Sequence, residues 1–332
     1  MKNRHLFLSI SLIAFTVSAC KKKDSTTELQ PPGIYITGNT TGATLWKNGV
    51  ETILAGTTPA YSTGLFVSDT NVFVSGFEDI NSSLVAAYWK NGVRTYLTNG
   101  ATTAEALDIW VSGNDVHAVG FESNGTKQVA MYWKNGLPAI LSNGAKDCVA
   151  VSIFMSGSDV YIVGRQTEGN TSSAILWKNG AETILTDPSS QARLYANDIF
   201  VQGNDVYISG YGDYGSYTIA KYWKNGVCIN LGNGAFKSKA FSIFASGADV
   251  YAAGWEGNGT VAIATYWKNG IPVYLSDGTA DAWLNSVYVH GNDVYVAGED
   301  RRFLLQRAMY WKNGVSVTLN PNQSSARTIV VK

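Results

Sequence analysis

The tetrapeptide Trp-Lys-Asn-Gly begins at Trp46, Trp89, Trp133, Trp177, Trp223, Trp267 and Trp311, so successive copies lie 43, 44, 44, 46, 44 and 44 residues apart. No other property of the 332-residue chain constrains its fold as tightly, because repeats at a fixed period share one continuous core. One repeat-built domain is therefore expected, although length alone would suggest two.

Between the tetrapeptides a second signature recurs at 65–76, 109–120, 153–164, 199–210, 243–254 and 287–298, for example "IFVQGNDVYISG" at 199–210. Each copy reads as a short apolar strand, a Gly/Asn/Asp turn and a strand alternating β-branched and aromatic residues. A polar loop such as 121–127 then leads to a third strand ending in Trp-Lys, and Asn-Gly turns the chain into a fourth such as 93–97. Asn-Gly suits a two-residue type I′ turn, in which both central residues need positive φ. Four antiparallel strands per 44 residues, repeated seven times, specify an all-β chain forming a seven-bladed β-propeller. Charged residues at 15%, against roughly 25% in ordinary soluble domains, together with 34 glycines, agree with many strands and tight turns.

Both ends of the domain are fragments of one repeat. Residues 33–38 match its second strand and residues 326–332 its first. The C-terminal strand is thus expected to pair into the N-terminal blade and close the ring, removing an exposed sheet edge. From 33 to 332 the chain resembles bacterial β-propeller lipoproteins with YWKNG-type repeats. It lacks the Trp-Asp blade ends of WD40 repeats, the paired glycines of kelch repeats and the Asp boxes of sialidases. The resemblance implies a fold and no particular activity.

Lys2 and Arg4 precede an apolar run at 6–17 and the small residues Ser18 and Ala19, the pattern of a processing signal. The run is too short for a permanent membrane span. "VSAC" at 17–20 resembles the lipobox of bacterial lipoproteins, which implies a signal peptide at 1–19 and acylation of Cys20. Residues 20–32 are then a disordered tether carrying Lys21, Lys22 and Lys23. Two or more acyl chains anchor stably where one is marginal. Lys21 after the acylated cysteine resembles lipoproteins sorted to the outer membrane of Gram-negative bacteria, whether facing the periplasm or the surface. Cys148 and Cys228 fall in different repeats and are not expected to pair.

The repeats also supply an internal control: a residue type found at one place in most blades is explained by blade geometry. Trp110 shares its register with Phe66, Phe154, Phe200, Phe244 and Tyr288, which reads as packing between blades, and His117 shares its own with four tyrosines and Phe73. His117 and His290 are the only histidines beyond the signal segment, so no metal site is expected, and no nucleophile, phosphate loop or cofactor motif stands out. With 25 basic and 25 acidic residues and no basic groove, nucleic acid is not expected as a partner. Asp115, Asp159, Asp205, Asp249 and Asp293 read as turn formers. Asp108 and Asp198 read as small polar residues bonding backbone, with paired carboxylates for glycoside hydrolysis as the alternative. The repeated tryptophans are expected to pack between blades, with Lys keeping the sheet edge soluble; the sharper alternative makes each Trp a sugar site of a multivalent lectin.

Ligand contacts are expected where the repeats diverge, on the face formed by loops entering each first strand and leaving each second strand. One divergent register reads Tyr61, Glu105, Val149, Tyr195, Lys239, Trp283 and Ser325; another reads Thr63, Leu107, Val151, Asn197, Phe241, Asn285 and Arg327. Trp283, Trp255, Glu256 and Phe241 are expected to converge near the axis, with Tyr195, Glu105, Lys239 and Arg327 on the same face. Aromatic faces beside a carboxylate suit a sugar ring. Aromatic counterparts at Phe77, Phe121 and Tyr211 leave packing as the competing account. The expected function is a lipid-anchored envelope binding module for carbohydrate or a protein partner, and not an enzyme. The alternatives are a polysaccharide-active enzyme and a non-catalytic structural subunit of an outer-membrane complex.

Overall fold

A computed structural model describes residues 32–332 apart from 55, 69–70, 189–191, 233 and 303–304. The expected signal peptide, Cys20 and the tether up to residue 31 lie outside the described residues. Seven four-stranded antiparallel sheets follow one another along the described chain. Blade 1 joins Ser325–Val331 to Ile34–Asn39, Ala43–Lys47 and Val50–Ile53; blade 2 begins at Ala60–Val67, blade 3 at Ala104–Ser112 and blade 4 at Asp147–Ser156. Blades 5, 6 and 7 begin at Arg193–Gln202, Ser238–Ser246 and Ala282–His290. Each first strand packs against the first strand of the next blade, and Ser325–Val331 packs against Ala60–Val67, so the ring is closed. The expected closure is present: Val331, Val330 and Ile329 pair with Ile34, Tyr35 and Ile36.

The Trp-Lys-Asn-Gly unit owes its repetition to three separate bonds. Asn48, Asn91, Asn135, Asn179, Asn225, Asn269 and Asn313 hold φ between 49° and 52° and the following glycines between 80° and 84°, the left-handed pair of a type I′ turn. The Asn side chain also accepts the backbone N–H that opens the second strand, as Val116 N–H does to Asn135 Oδ1 at 2.8 Å. Its amide donates to the aspartate of the first hairpin, Asn135 to Asp115 at 2.8 Å, and Lys134 reaches the other oxygen of that carboxylate at 2.8 Å. The same clamp joins Lys178 to Asp159, Lys224 to Asp205, Lys268 to Asp249 and Lys312 to Asp293. Lysine therefore does more than keep the edge soluble, and the aspartates do more than form turns: together they bolt two neighbouring hairpins of one blade.

The seven repeated tryptophans are between 0% and 3% exposed and sit in the apolar clusters between blades. Trp223, for instance, packs with Leu194, Ala196 and Ile199 of its own blade and Tyr161 and Val163 of the blade before. Buried to this degree, they present no face to a sugar, which removes the multivalent-lectin alternative. The first-strand aromatics Phe66, Trp110, Phe154, Phe200, Phe244 and Tyr288 form a chain of tilted rings with neighbouring centroids 4.4–5.0 Å apart. They line one end of the central channel. Residues 121–123, expected in a loop, instead extend the second strand of blade 3 to Ser123, because Gln128, Val129 and Ala130 pair with them. Cys148 and Cys228 are free.

Every first strand carries a register shift near its start, between Ala106 and Asp108 in blade 3 and at the corresponding place in the other blades. The glycine ending each signature faces that shift. A Cβ on Gly120 would lie 1.9 Å from the Glu105 carbonyl oxygen, and Gly164, Gly210 and Gly254 are equally close to Val149, Tyr195 and Lys239. Only glycine admits the approach, so the bulge and the glycine come as a pair.

Candidate functional site

The bulge decides which side chains meet at the axis. An extra residue in one strand re-aims its side chain. The bulged residues Leu107, Val151, Asn197, Phe241, Asn285 and Arg327, with Thr63 of blade 2, line a cavity of about 650 Å³ at the channel end opposite the aromatic rings. That volume lies within the range of about 300–1,000 Å³ for small-molecule sites. Some of these residues also tie blades together: Asn197 Nδ2 donates to Ala240 O at 2.7 Å, Asn285 Nδ2 to Ala326 O at 2.8 Å and Thr63 Oγ1 to Ala106 O at 2.7 Å. Phe241 and Arg327 have no such task.

The cavity wall is asymmetric. Blades 6 and 7 supply Phe241, Trp255, Trp283, Glu299, Arg301 and Gln306. Glu299 is 2% exposed. Its oxygens accept Trp283 Nε1–H and, at 2.7 Å, an N–H of Gln306. Arg301 lies over the Trp283 indole, 5.1 Å from its centroid.

The floor is a polar ring from the residue after each bulge. Asp108 Oδ2 accepts Ile153 N–H at 2.9 Å and Asp198 Oδ2 accepts Ile243 N–H at 2.9 Å, each bond crossing to the inner strand of the next blade. Ser242 and Ser286 play the same part, receiving Val287 N–H and Ile329 N–H at 3.2 Å. Ser152 Oγ lies 2.8 Å from Asp108 Oδ2 and 2.9 Å from Asp198 Oδ1. Burial pushes the Asp108 carboxyl up to about 7, with the Asp198 charge adding and the Ile153 N–H opposing. Burial also raises Asp198, against its N–H and hydroxyl donors. Their oxygens are engaged in joining blades, which accounts for both acids as backbone-bonding residues.

Of the residues expected to converge, Phe241, Trp255, Trp283 and Arg327 do so. Glu256 does not. Neighbours along a strand point to opposite faces, so Trp255 and Glu256 cannot share a patch. Glu256 instead accepts the Tyr274 hydroxyl at 2.9 Å, as Glu78 accepts Tyr96 at 2.8 Å, a repeated structural role. Tyr195 stacks on Tyr211 at 4.6 Å, and Lys239 sits 4.4 Å over the same Tyr211 ring. Burial lowers the Lys239 pKa and raises that of Glu105, which is paired across the strands with Phe121. None of these three lines the cavity.

Glu299, Arg301 and Gln306 were not singled out from the sequence. Glu299 was nevertheless visible as the acid in a register otherwise reading Phe77, Phe121, Arg165, Tyr211 and Trp255. Lys221 was a second visible exception, a lysine where other blades place Ala87, Met131, Ile175, Thr265 and Met309. Its ammonium, fully buried, reaches Asp187 at 2.9 Å and Asn230 at 2.5 Å. Burial disfavours that charge, but the bonds to Tyr214 and Asp187 more than offset it and raise the pKa. Among the described residues no cluster of three or more His, Cys, Asp or Glu is placed to hold a metal.

No family model and no curated protein matches the chain. Among solved structures it is similar to TolB from Acinetobacter baumannii, at 12% identity and a TM-score of 0.49, over 78% of this chain and 66% of that one. The chain thus spans just under two thirds of that structure's length.

Proposed function

We propose that this chain is a lipid-anchored binding module of a Gram-negative cell envelope, held in the outer membrane through Cys20, which takes carbohydrate into the axial cavity without transforming it. One observation carries the proposal: Phe241, Trp255 and Trp283 converge with the buried Glu299 on one cavity, at positions that the repeat geometry leaves open. Aromatic faces accept the C–H surface of a sugar ring, and a fixed carboxylate accepts its hydroxyl hydrogens. The non-catalytic part is supported by the floor acids, whose oxygens are already held by backbone N–H and serine groups of neighbouring blades.

The test is affinity electrophoresis of the full-length chain in detergent through gels containing a panel of neutral and acidic polysaccharides. Trp255→Ala with Phe241→Ala is expected to lose at least tenfold in retention while melting within about 3 °C of the parent, since neither side chain makes a hydrogen bond that ties blades together. Parent protein that no polysaccharide retards would refute the carbohydrate reading.

A further inference from the structure

Four described arginines are committed to carboxylates: Arg94 to Glu78, Arg193 to Asp213, and Arg302 and Arg307 to Asp300. Arg165, Arg301 and Arg327 are not; among the described residues none of the three has a carboxylate within ion-pair distance. Of these three, Arg301 and Arg327 line the axial cavity, Arg327 from the bulge of the closing strand and Arg301 from the far end of the second strand of blade 7. The two strands belong to neighbouring blades whose inner strands are in contact. The cavity therefore gathers two guanidinium groups that make no ion pair among the described residues. Arg301 is also pre-positioned, its planar head laid over the Trp283 indole. Such stacking lowers the freedom that a flexible cation would lose on binding.

We infer that the ligand is an acidic sugar, a uronic acid unit whose carboxylate is bound by Arg301 and Arg327 while Glu299 receives its hydroxyls. The inference rests on the carbohydrate reading above. Planar guanidinium groups match a carboxylate with paired N–H donors, which makes them suited to this anion. Glu299 cannot serve as the missing counter-ion. Its oxygens are held by Trp283 and Gln306, and among the described residues it makes no ion pair with Arg301. A carboxylate has about four lone-pair sites, so two donors leave it room for hydroxyl hydrogens. A second acid placed against Glu299 would be repelled, so the ligand must carry its charge at the arginine end and neutral hydroxyls at the other. An acidic peptide has no such polarity within one unit and no ring face for Trp255 and Phe241. A uronic acid has all three: a carboxylate at one corner, hydroxyls on the opposite edge and an apolar C–H face.

The experiment compares polygalacturonate, alginate and hyaluronan with the same polymers after reduction of their carboxyl groups to hydroxymethyl, which keeps ring and linkage and removes only the charge. Full-length chain in detergent is run through gels containing each, with polyglutamate as a non-sugar polyanion. At least one uronate polymer is expected to retard the protein tenfold or more over its reduced form, with the effect weakening as salt rises. Arg301→Gln with Arg327→Gln should abolish the difference while leaving the melting temperature unchanged, because neither guanidinium is bound to a carboxylate of the protein. Equal retention by uronate and reduced polymers, or an undiminished preference in the double variant, overturns the acidic-sugar inference and leaves carbohydrate binding standing. Equal retention by polyglutamate overturns it as mere anion attraction. If neither form of any polymer retards the protein, both readings fall.

Discussion

Ser152 has one hydroxyl hydrogen and two carboxylates within reach, so it can donate to only one of them at a time. If Asp108 and Asp198 were both ionised, one of the two short O···O contacts would lack a proton. We expect an ordered chain to resolve this when Asp108 is protonated: Asp108 then donates to Ser152, which donates to Asp198. It agrees with Asp108 titrating near 7 instead of near 3.8. The folded state then holds a proton that the unfolded chain releases near 3.8. Stability from this group is full below that value, falls as pH rises towards about 7 and is flat above it. A shift of about 3 units corresponds to roughly 4 kcal/mol, and because the carboxyl opens onto the channel we expect about half, roughly 2 kcal/mol. Asp108→Asn removes the titrating group, and with its amide oxygen at the Oδ2 place it still accepts from Ile153 N–H and Ser152. Its melting temperature between pH 5 and pH 8 should fall by less than that of the parent; parallel curves for the two proteins would sink the shared-proton account.

At the scale of a strand, the inner bulge and its facing glycine separate two duties. The residues before and after the bulge hold the blade and the ring, while the bulged residue looks into the cavity, Asn197 and Asn285 also bonding the next blade. Gly120→Ala would drive a Cβ to 1.9 Å from the Glu105 carbonyl, so the bulge must flatten or the strands must part. We expect a cost of roughly 3 kcal/mol or more, of the size seen for overpacked sites, measured by chemical denaturation. Leu107→Ala, one strand away, should cost less than about 1 kcal/mol, because Leu107 lines the open cavity; equal losses would show the glycine to be incidental. The bulge also explains what the sequence made legible. A register reading Thr63, Leu107, Val151, Asn197, Phe241, Asn285 and Arg327 lacks a common chemistry because only Thr63, Asn197 and Asn285 bond the next blade, and that divergence was visible without coordinates. Glu256 stands apart from the cavity patch because strand alternation turns it to the face opposite its neighbour Trp255. Arg301 and Gln306 were hidden for another reason: they pair near the tip of a hairpin that runs to Arg302 and Leu305, longer than its counterpart in blade 6, and the same register elsewhere holds unlike pairs such as Thr167 with Ser172 and Asp79 with Leu84.

For the molecule as a whole, the period near 44 residues made the blade count and closure readable, since seven identical turns leave one way to complete the ring. Closure buries Ile329 at 1% and Val331 at 0% exposure, and it gives Ile34–Asn39 its inner neighbour. Deleting 326–332 unpairs that strand and also uncovers the inner strand of blade 2, which should lower the melting temperature by more than 10 °C. Cys20→Ala serves as the contrast: it should leave melting unchanged while the protein moves from the membrane fraction to the soluble one and no longer incorporates labelled fatty acid. Equal melting of the truncated and intact chains would refute closure by the terminal strand, and a labelled Cys20→Ala protein would refute the anchor. The bulged positions have a further consequence at this scale. Since folding is specified by the tryptophans, the turns and the glycines, the axial residues that bond no neighbouring blade, Phe241 and Arg327 among them, form a small vocabulary that can be rewritten without disturbing the grammar of the ring. A population of such chains could diverge in what each one recognises while every member folds by the same rules, so kinship in architecture would carry little information about diet, host or neighbour.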